Sequence, residues 1–479
     1  MAYSQWPMAV FTEWQVPRLK YWYETFCVGY STTTNDVTAF TWGDVISAYE
    51  HDWKLYSDVF PAGTKYVAIK HTSDDAFYLY VDDFSFQPVF TKTIAAYSDS
   101  QVEKGGYYLI ASPLADAVAP TTVGMITDNL GVNATPETST YDLYSFNQAQ
   151  ELEWQNYRAS NFNLVNGTGY LYASKSGTTL TFTGAPGTNG EVILSKTDDS
   201  SVDFQGWNLV GNPFGVDATI PSDRDYYVMN SEGRGEIILG TDYTIPVMEG
   251  IFVIAEQNEE SLTFSPISGP NGASDQPDYD KCRLVLNLTK DNSLLDRAMV
   301  RFGEGRQLPK FQLRKSSTKV YFPQEGKDYA VARSEAMGTM PVNFKAENNG
   351  VYTLSFTNEE VTFSYLHLID NMTGIETDLL ANPSYSFDAR TTDYESRFKL
   401  VFATGNNAND DTFAFYSNGS FVINNEGNAT LQVIDVNGRI LKSESINGCA
   451  NINVNAASGV YMIRLVNGND VKVQKVVVR

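Results

Sequence analysis

The groups able to do chemistry in this chain are few: three histidines and three cysteines beside 57 acidic side chains. His71 precedes Asp74 and Asp75, and a His-x-x-Asp-Asp spacing offers the mixed imidazole and carboxylate donors that a metal ion accepts. No third ligand follows at a recognisable spacing, and a polar turn after a strand explains the same residues. His51, between Glu50 and Asp52, reads as another polar turn, and His367 sits inside the strand pattern Tyr365-Leu-His-Leu-Ile. A hydrolase needs a positioned nucleophile or a metal-bound water beside a tuned acid or base. The sequence holds no Gly-x-Ser-x-Gly, His-Glu-x-x-His, phosphate loop or dinucleotide fingerprint. The expectation is a protein that binds and does not catalyse.

The better candidate site is Asp82-Asp83, which closes the apolar run Phe77 to Phe84. Adjacent carboxylates at a buried strand end repel unless a cation or a hydrogen-bond donor pairs them, and Ca2+ takes six to eight oxygen ligands. Asp82 and Asp83 are therefore the candidate ligands of a structural Ca2+. The alternative is one solvated carboxylate and one that caps a backbone turn. Cys27, Cys282 and Cys449 lie far apart with no Cys-x-x-Cys, so neither a metal site nor a disulfide framework is supported. Trp207 could serve as a ligand platform, but a buried tryptophan before a structural turn fits its surroundings better.

The elements that must position these residues are strands. Tyr 29, Phe 27 and Trp 7, with only 19% charged residues, favour β structure, and the chain reads as all-β. No run of about eighteen apolar residues occurs, which excludes a membrane-spanning helix. The net charge is −23, yet residues 410–479 carry six basic and six acidic side chains, so the excess lies in the preceding part. A surface that acidic repels phosphates, and nucleic acid is not an expected partner.

Several β-sandwich modules in tandem are expected. Residues 1–89 alternate aromatic and polar side chains. Residues 90–267 contain an internal repeat, about 105–184 and 206–266. Gly106-Tyr-Tyr-Leu-Ile-Ala-Ser-Pro-Leu114 aligns with Gly206-Trp-Asn-Leu-Val-Gly-Asn-Pro-Phe214, Gly169-Tyr-Leu-Tyr-Ala173 with Gly250-Ile-Phe-Val-Ile254, and Leu180-Thr-Phe182 with Leu262-Thr-Phe264. Two copies of one β unit can bury their apolar faces on each other. A Gly/Pro/Asp-rich linker at 267–280 precedes residues 281–404, whose strand spacing suggests an immunoglobulin-like sandwich. After an Asn/Asp linker at 406–411, residues 411–479 show alternation broken by Asn437-Gly438, Asn447-Gly448 and Asn467-Gly468, the signature of hairpins in a small sandwich.

The wording of that last segment carries a resemblance. Leu431-x-Val-x-Asp435-x-x-Gly438-Arg439, Ser458-Gly-Val-Tyr461 and Lys472-x-x-Lys475-Val-Val-Val478 closely resemble the type A C-terminal sorting domain of the Bacteroidetes type IX secretion system. The resemblance implies export across the outer membrane, removal of the domain near 406–411, and in many cases attachment of the cargo to surface lipopolysaccharide. It assigns the sorting signal to Gly459, Tyr461, Lys472, Lys475, Val476, Val477, Val478 and Arg479. The terminal stretch is expected to offer an edge to the secretion machinery by strand addition. At the other end, Val28-Gly-Tyr-Ser-Thr-Thr33, Ala62-Gly-Thr-Lys-Tyr-Val-Ala-Ile-Lys-His-Thr72 and Tyr80-Val-Asp-Asp-Phe84 resemble the C-terminal half of a cleaved-adhesin, MAM-like jelly-roll domain. That resemblance supports Ca2+ at Asp82 and Asp83, with further ligands from opening strands that this sequence lacks. The Trp207 to Phe214 string is similar to segments found just upstream of sorting domains in large surface proteins.

Type IX cargo carries a signal peptide, and Met1-Ala-Tyr-Ser-Gln-Trp shows neither a basic n-region nor an apolar h-region. The expectation is a sequence truncated at its N-terminus. Two functions follow. One is a non-catalytic surface protein, an adhesin or scaffold that binds host protein or glycan. The other is the non-catalytic tail of a secreted protease or other hydrolase whose catalytic domain lies upstream.

Overall fold

The computed structural model describes residues 8–15, 24–48, 54–61, 63–74, 79–99, 104–125, 142–230, 236–267, 282–404, 413–417, 419–425, 427–454, 456–468 and 470–478. Both linkers expected from composition fall almost entirely outside these residues, as does His51. Among the described residues there is no α-helix, only strands and two short 3-10 turns, in line with the aromatic and β-branched composition. The chain divides into two compact units: residues 1–221 with 242–275, and residues 222–241 with 276–479.

In the first unit, Met8–Gln15 pairs with both Lys54–Phe60 and Tyr80–Ile94, and Glu24–Ser31 pairs with Tyr66–His71. Phe26, Val28, Ala48 and Phe60 are buried between them. The Tyr80–Ile94 strand does not stop at residue 89. Its first half pairs with Met8–Gln15 and its second half with Thr178–Thr183, so the N-terminal module and the first repeat share one strand.

The repeat is written in hydrogen bonds. Tyr107–Ala111 pairs with Gly169–Ala173, and Trp207–Gly211 pairs with Gly250–Ile254, each over five residues in the same register. The bridge Ile110–Glu249 has a counterpart in Thr168–Val210. Likewise Ala111 donates its N–H to the Met248 carbonyl, and Gly211 to the Gly167 carbonyl, both at 3.0 Å. Gly167 and Met248 both take a left-handed backbone, φ +75° and +64°. The two copies are thus related by a local two-fold. Their close approach needs small residues: a Cβ on Gly211 would stand 2.2 Å from the Ala111 methyl group. Each copy also begins one strand earlier than the letters showed. Lys92 pairs with Leu180 and Val192 with Leu262, which extends the offset of 100 back to residues 91 and 191.

In the second unit, ten strands from Arg283–Lys290 to Phe398–Thr404 follow one hydrogen-bonded path, with Leu308–Pro309 attached to its side. Alternate residues of these strands meet in a single core that includes Leu286, Val300, Phe322, Phe344, Leu368, Leu400 and Phe402. The pairs are antiparallel except for Ser293–Phe302 with Lys327–Ser334, which is parallel. Residues 222–230 and 236–241 pack on this sandwich through buried polar groups. Arg301 Nη2 donates to Asp225 at 2.8 Å, and the Glu236 carboxylate accepts from the Leu313 and Arg314 amides and the Ser317 hydroxyl. Buried charge is tolerated because each group finds a partner.

Residues 413–478 form a small two-sheet sandwich. Ala414–Ser417, Ser420–Ile423 and Ala450–Asn453 make one sheet. Ile440–Asn447, Asn428–Asp435, Gly459–Asn467 and Asp470–Val478 make the other, in that order. Phe421, Ile423, Leu431, Val433, Ile463 and Leu465 fill the space between them.

Candidate functional site

The C-terminal hairpin of this small sandwich is where sequence motif and geometry coincide. Gly459–Asn467 and Asp470–Val478 pair residue for residue, from Gly459 opposite Val478 to Asn467 opposite Asp470. Asn467-Gly468 begins the reversal, with Gly468 at φ +59°, a conformation glycine adopts without steric cost. Among the described residues Asp470–Val478 has no second strand neighbour, so it forms an edge of the sheet. An edge strand leaves a row of N–H and C=O groups free for another chain. The terminal stretch is therefore a paired edge strand and not a loose tail.

The motif residues divide by face, as the strand period of two demands. Val476 and Val478 point into the core, and Tyr461 does too, its ring edge-on to Phe421 and its hydroxyl donating to the Ala457 carbonyl at 2.9 Å. Lys475 and Val477 are exposed on the opposite face, where Val471 and Val473 add apolar surface, and Lys472, although in phase with Val476 and Val478, is exposed near the start of the strand. Arg479 lies outside the described residues. Gly459 has no steric reason to be glycine: a Cβ added there would lie 3.8 Å from its nearest neighbour, the Ala457 carbonyl oxygen.

The Asp-x-x-Gly-Arg motif has a local explanation. The Asp435 carboxylate accepts from the Asn437 and Arg439 amides at 3.0 and 2.9 Å and from Arg439 Nε at 3.1 Å. These donors, the Arg439 amide first, hold its pKa below the usual carboxylate value. Gly438 supplies φ +79° in the same turn. The motif is one self-capped hairpin turn.

One residue of the terminal strand escaped the sequence reading. Gln474 is in phase with Val476 and Val478, so its side chain enters the sandwich. Its Oε1 accepts from the Phe413 and Ala414 amides at 2.5 and 2.7 Å, and its Nε2 donates to the Ala414 carbonyl at 2.7 Å. The last strand thereby clamps the first strand of the opposite sheet. Its phase with Val476 and Val478 was the available signal, blurred by Lys472, a polar residue of the same phase that stays exposed.

Residues 417–479 match the secretion system C-terminal sorting domain. The match supports a cargo of the type IX secretion system, so the edge strand belongs to a sorting domain. No curated protein matches the chain. No helix among the described residues is long and apolar enough to cross a membrane.

The other candidate residues lie elsewhere. Asp82 is exposed in the first part of Tyr80–Ile94, so Asp82-Asp83 does not close a strand as expected; the side chain of Asp83 is outside the described residues. Among the described residues no three His, Cys, Asp or Glu side chains converge as metal ligands. His71 ends its strand, as expected of a turn residue, and its Nε2 lies 2.6 Å from buried Glu24. His367 stacks on Tyr365 with ring centroids 4.0 Å apart and reaches Glu376 through Nδ1 at 2.9 Å. The three cysteines are free.

Trp207 is buried, and the corner after it is held by Asn212. The Asn212 side chain donates to the Val216, Ile245 and Pro246 carbonyls and accepts the Phe214 amide at 3.0 Å. In the other copy, Ser112 Oγ takes the corresponding amide of Leu114 at 3.3 Å. This string is a structural corner.

Proposed function

We propose that this chain is a non-catalytic surface protein of a Bacteroidetes bacterium, an adhesin or binding scaffold, delivered by its sorting domain through the type IX secretion system. The observation that carries the export part is the matched domain at 417–479 with its terminal strand at a sheet edge. Strand addition needs such an edge, and the outward Val473, Lys475 and Val477 supply side chains for a partner to recognise. The binding part draws on the jelly-roll resemblance of residues 1–89 and on the lack of a catalytic motif. β-sandwich modules bind through loops and aromatic faces, and a host protein or a glycan is the ligand class proposed. After processing, surface lipopolysaccharide is the proposed anchor. Deleting residues 470–479 in a host with a type IX system should leave the protein in the periplasm. Normal surface delivery of the deleted protein would refute the export reading. Purified protein should bind glycans or a matrix protein and show no peptidase or glycosidase turnover; turnover lost on His71→Ala or Asp83→Ala would refute the binding reading.

A further inference from the structure

Val422 has two sheets to serve. All four residues of Ser420–Ile423 are buried. Phe421 and Ile423 face the sorting domain's own core, so Val422 points the other way. It joins Tyr365, Ile369, Val401 and Ala403 of the preceding sandwich, with Met337 and Phe415 packed against them. Those sandwich residues alternate with Leu366, Leu368, Leu400 and Phe402, which belong to the sandwich core. They therefore line the face turned away from it. An antiparallel sheet face turned from its core is normally wet and polar. This one is apolar and buried, with Val401 3% and Ala403 0% exposed, because the sorting domain covers it. At the rim, Asn451 Nδ2 donates to the Tyr365 hydroxyl and Asn424 Nδ2 to the Thr404 carbonyl, both at 3.3 Å.

We propose that the sorting domain is a non-covalent cap on this sandwich face, so that cutting the connection at 405–412 does not by itself release it. Cutting and release are then separate steps. Release has to peel Phe415 and Val422 from Tyr365, Ile369, Val401 and Ala403. It uncovers a contiguous apolar patch of the kind soluble monomers rarely leave exposed. The biological setting rests on the proposed removal of the domain; the contact itself does not.

The test places a specific protease recognition sequence at 405–412 of the full chain, cuts it, and applies the products to size exclusion. The two fragments should co-elute. Separation on cutting would overturn the proposal. Val422→Asp and Val401→Lys, one on each side of the contact, should each convert the single peak into two. Hydrogen exchange of the terminal hairpin checks that the freed domain is still folded. If Val422→Asp unfolds it, Val401→Lys decides. Continued co-elution of both variants would show that another surface holds the domain and would also overturn the proposal. Export is measured separately, so loss of the cap with export still dependent on residues 470–479 removes this inference alone.

Discussion

Gln474→Ala removes three hydrogen bonds from the middle of the sorting domain. A hydrogen bond contributes about 1 kcal/mol net, and each buried polar group left unpaired costs about 1–3 kcal/mol. Phe413 and Ala414 are both buried, and their amides lose the acceptor that the half-buried Gln474 side chain supplies. The expected loss is about 3 kcal/mol. A domain of this size commonly holds roughly 3–10 kcal/mol in total, so the change is a large share of its stability. At about 4–8 °C per kcal/mol for small domains, the sorting-domain transition should fall by roughly 12–24 °C. Gln474→Glu is the informative control. A carboxylate still accepts both amides but cannot donate to the Ala414 carbonyl, so its loss should be smaller. The assay is thermal unfolding of the full chain, with hydrogen exchange of the 413–417 peptide to assign the transition. An alanine variant that melts within about 3 °C of the parent, with the 413–417 amides equally protected, would refute the clamp.

Two further outcomes test the packing of the other residues. Asp370 is buried with Arg397, whose Nη2 is 2.9 Å from Asp370 Oδ2, and Asp370→Ala should cost about 3 kcal/mol because the buried guanidinium keeps only the Asp388 carbonyl at 2.7 Å and the Asp393 carboxylate at 3.6 Å. Burial alone would raise the Asp370 pKa. The Arg397 guanidinium, the Met372 amide and the Tyr385 hydroxyl override it and hold the pKa below 3.8. A depressed carboxylate pKa stabilises above the unfolded value, so this contribution is full above pH 3.8 and is lost as pH falls below it; acid titration of the second unit should show that loss, and Asp370→Asn should flatten it. Gly211→Ala and Gly459→Ala should differ sharply in denaturant midpoint. The first forces a methyl group to within 2.2 Å of Ala111, and the second makes only ordinary van der Waals contact, 3.8 Å at its nearest; equal midpoints would contradict the close packing of the two copies.

Much of the architecture was legible because β structure has a short period. Alternation marked residues 1–89 and 411–479 as strands, Asn437-Gly438 and Asn467-Gly468 located hairpins while Asn447-Gly448 instead joins strands of the two different sheets, and the shared letters around Gly106 and Gly206 revealed the duplication. The extra strand at 89–94 and 191–194 was not legible, since a backbone ladder needs no particular side chains, and Thr91-Lys-Thr-Ile94 shares few letters with Glu191-Val-Ile-Leu194. The same indifference hid the continuity of Tyr80–Ile94, where one strand serves two sheets and nothing in its sequence marks the exchange. It also misplaced Asp82-Asp83, which looked like a strand end only because the apolar run pauses there.

What the sequence determined by itself is the class of fold, the repeat and the sorting motif, all of which are carried by short strings of letters. What only the tertiary structure decided is the meaning of Gln474 and Val422. Gln474 looks like a surface residue until the opposite sheet brings the Phe413 and Ala414 amides within hydrogen-bond reach. Val422 looks like ordinary strand filling until the sandwich face of Tyr365 and Val401 gives it a second core. Gln474 meets Phe413 across 61 residues of chain, and no local pattern encodes which distant partner a side chain will find.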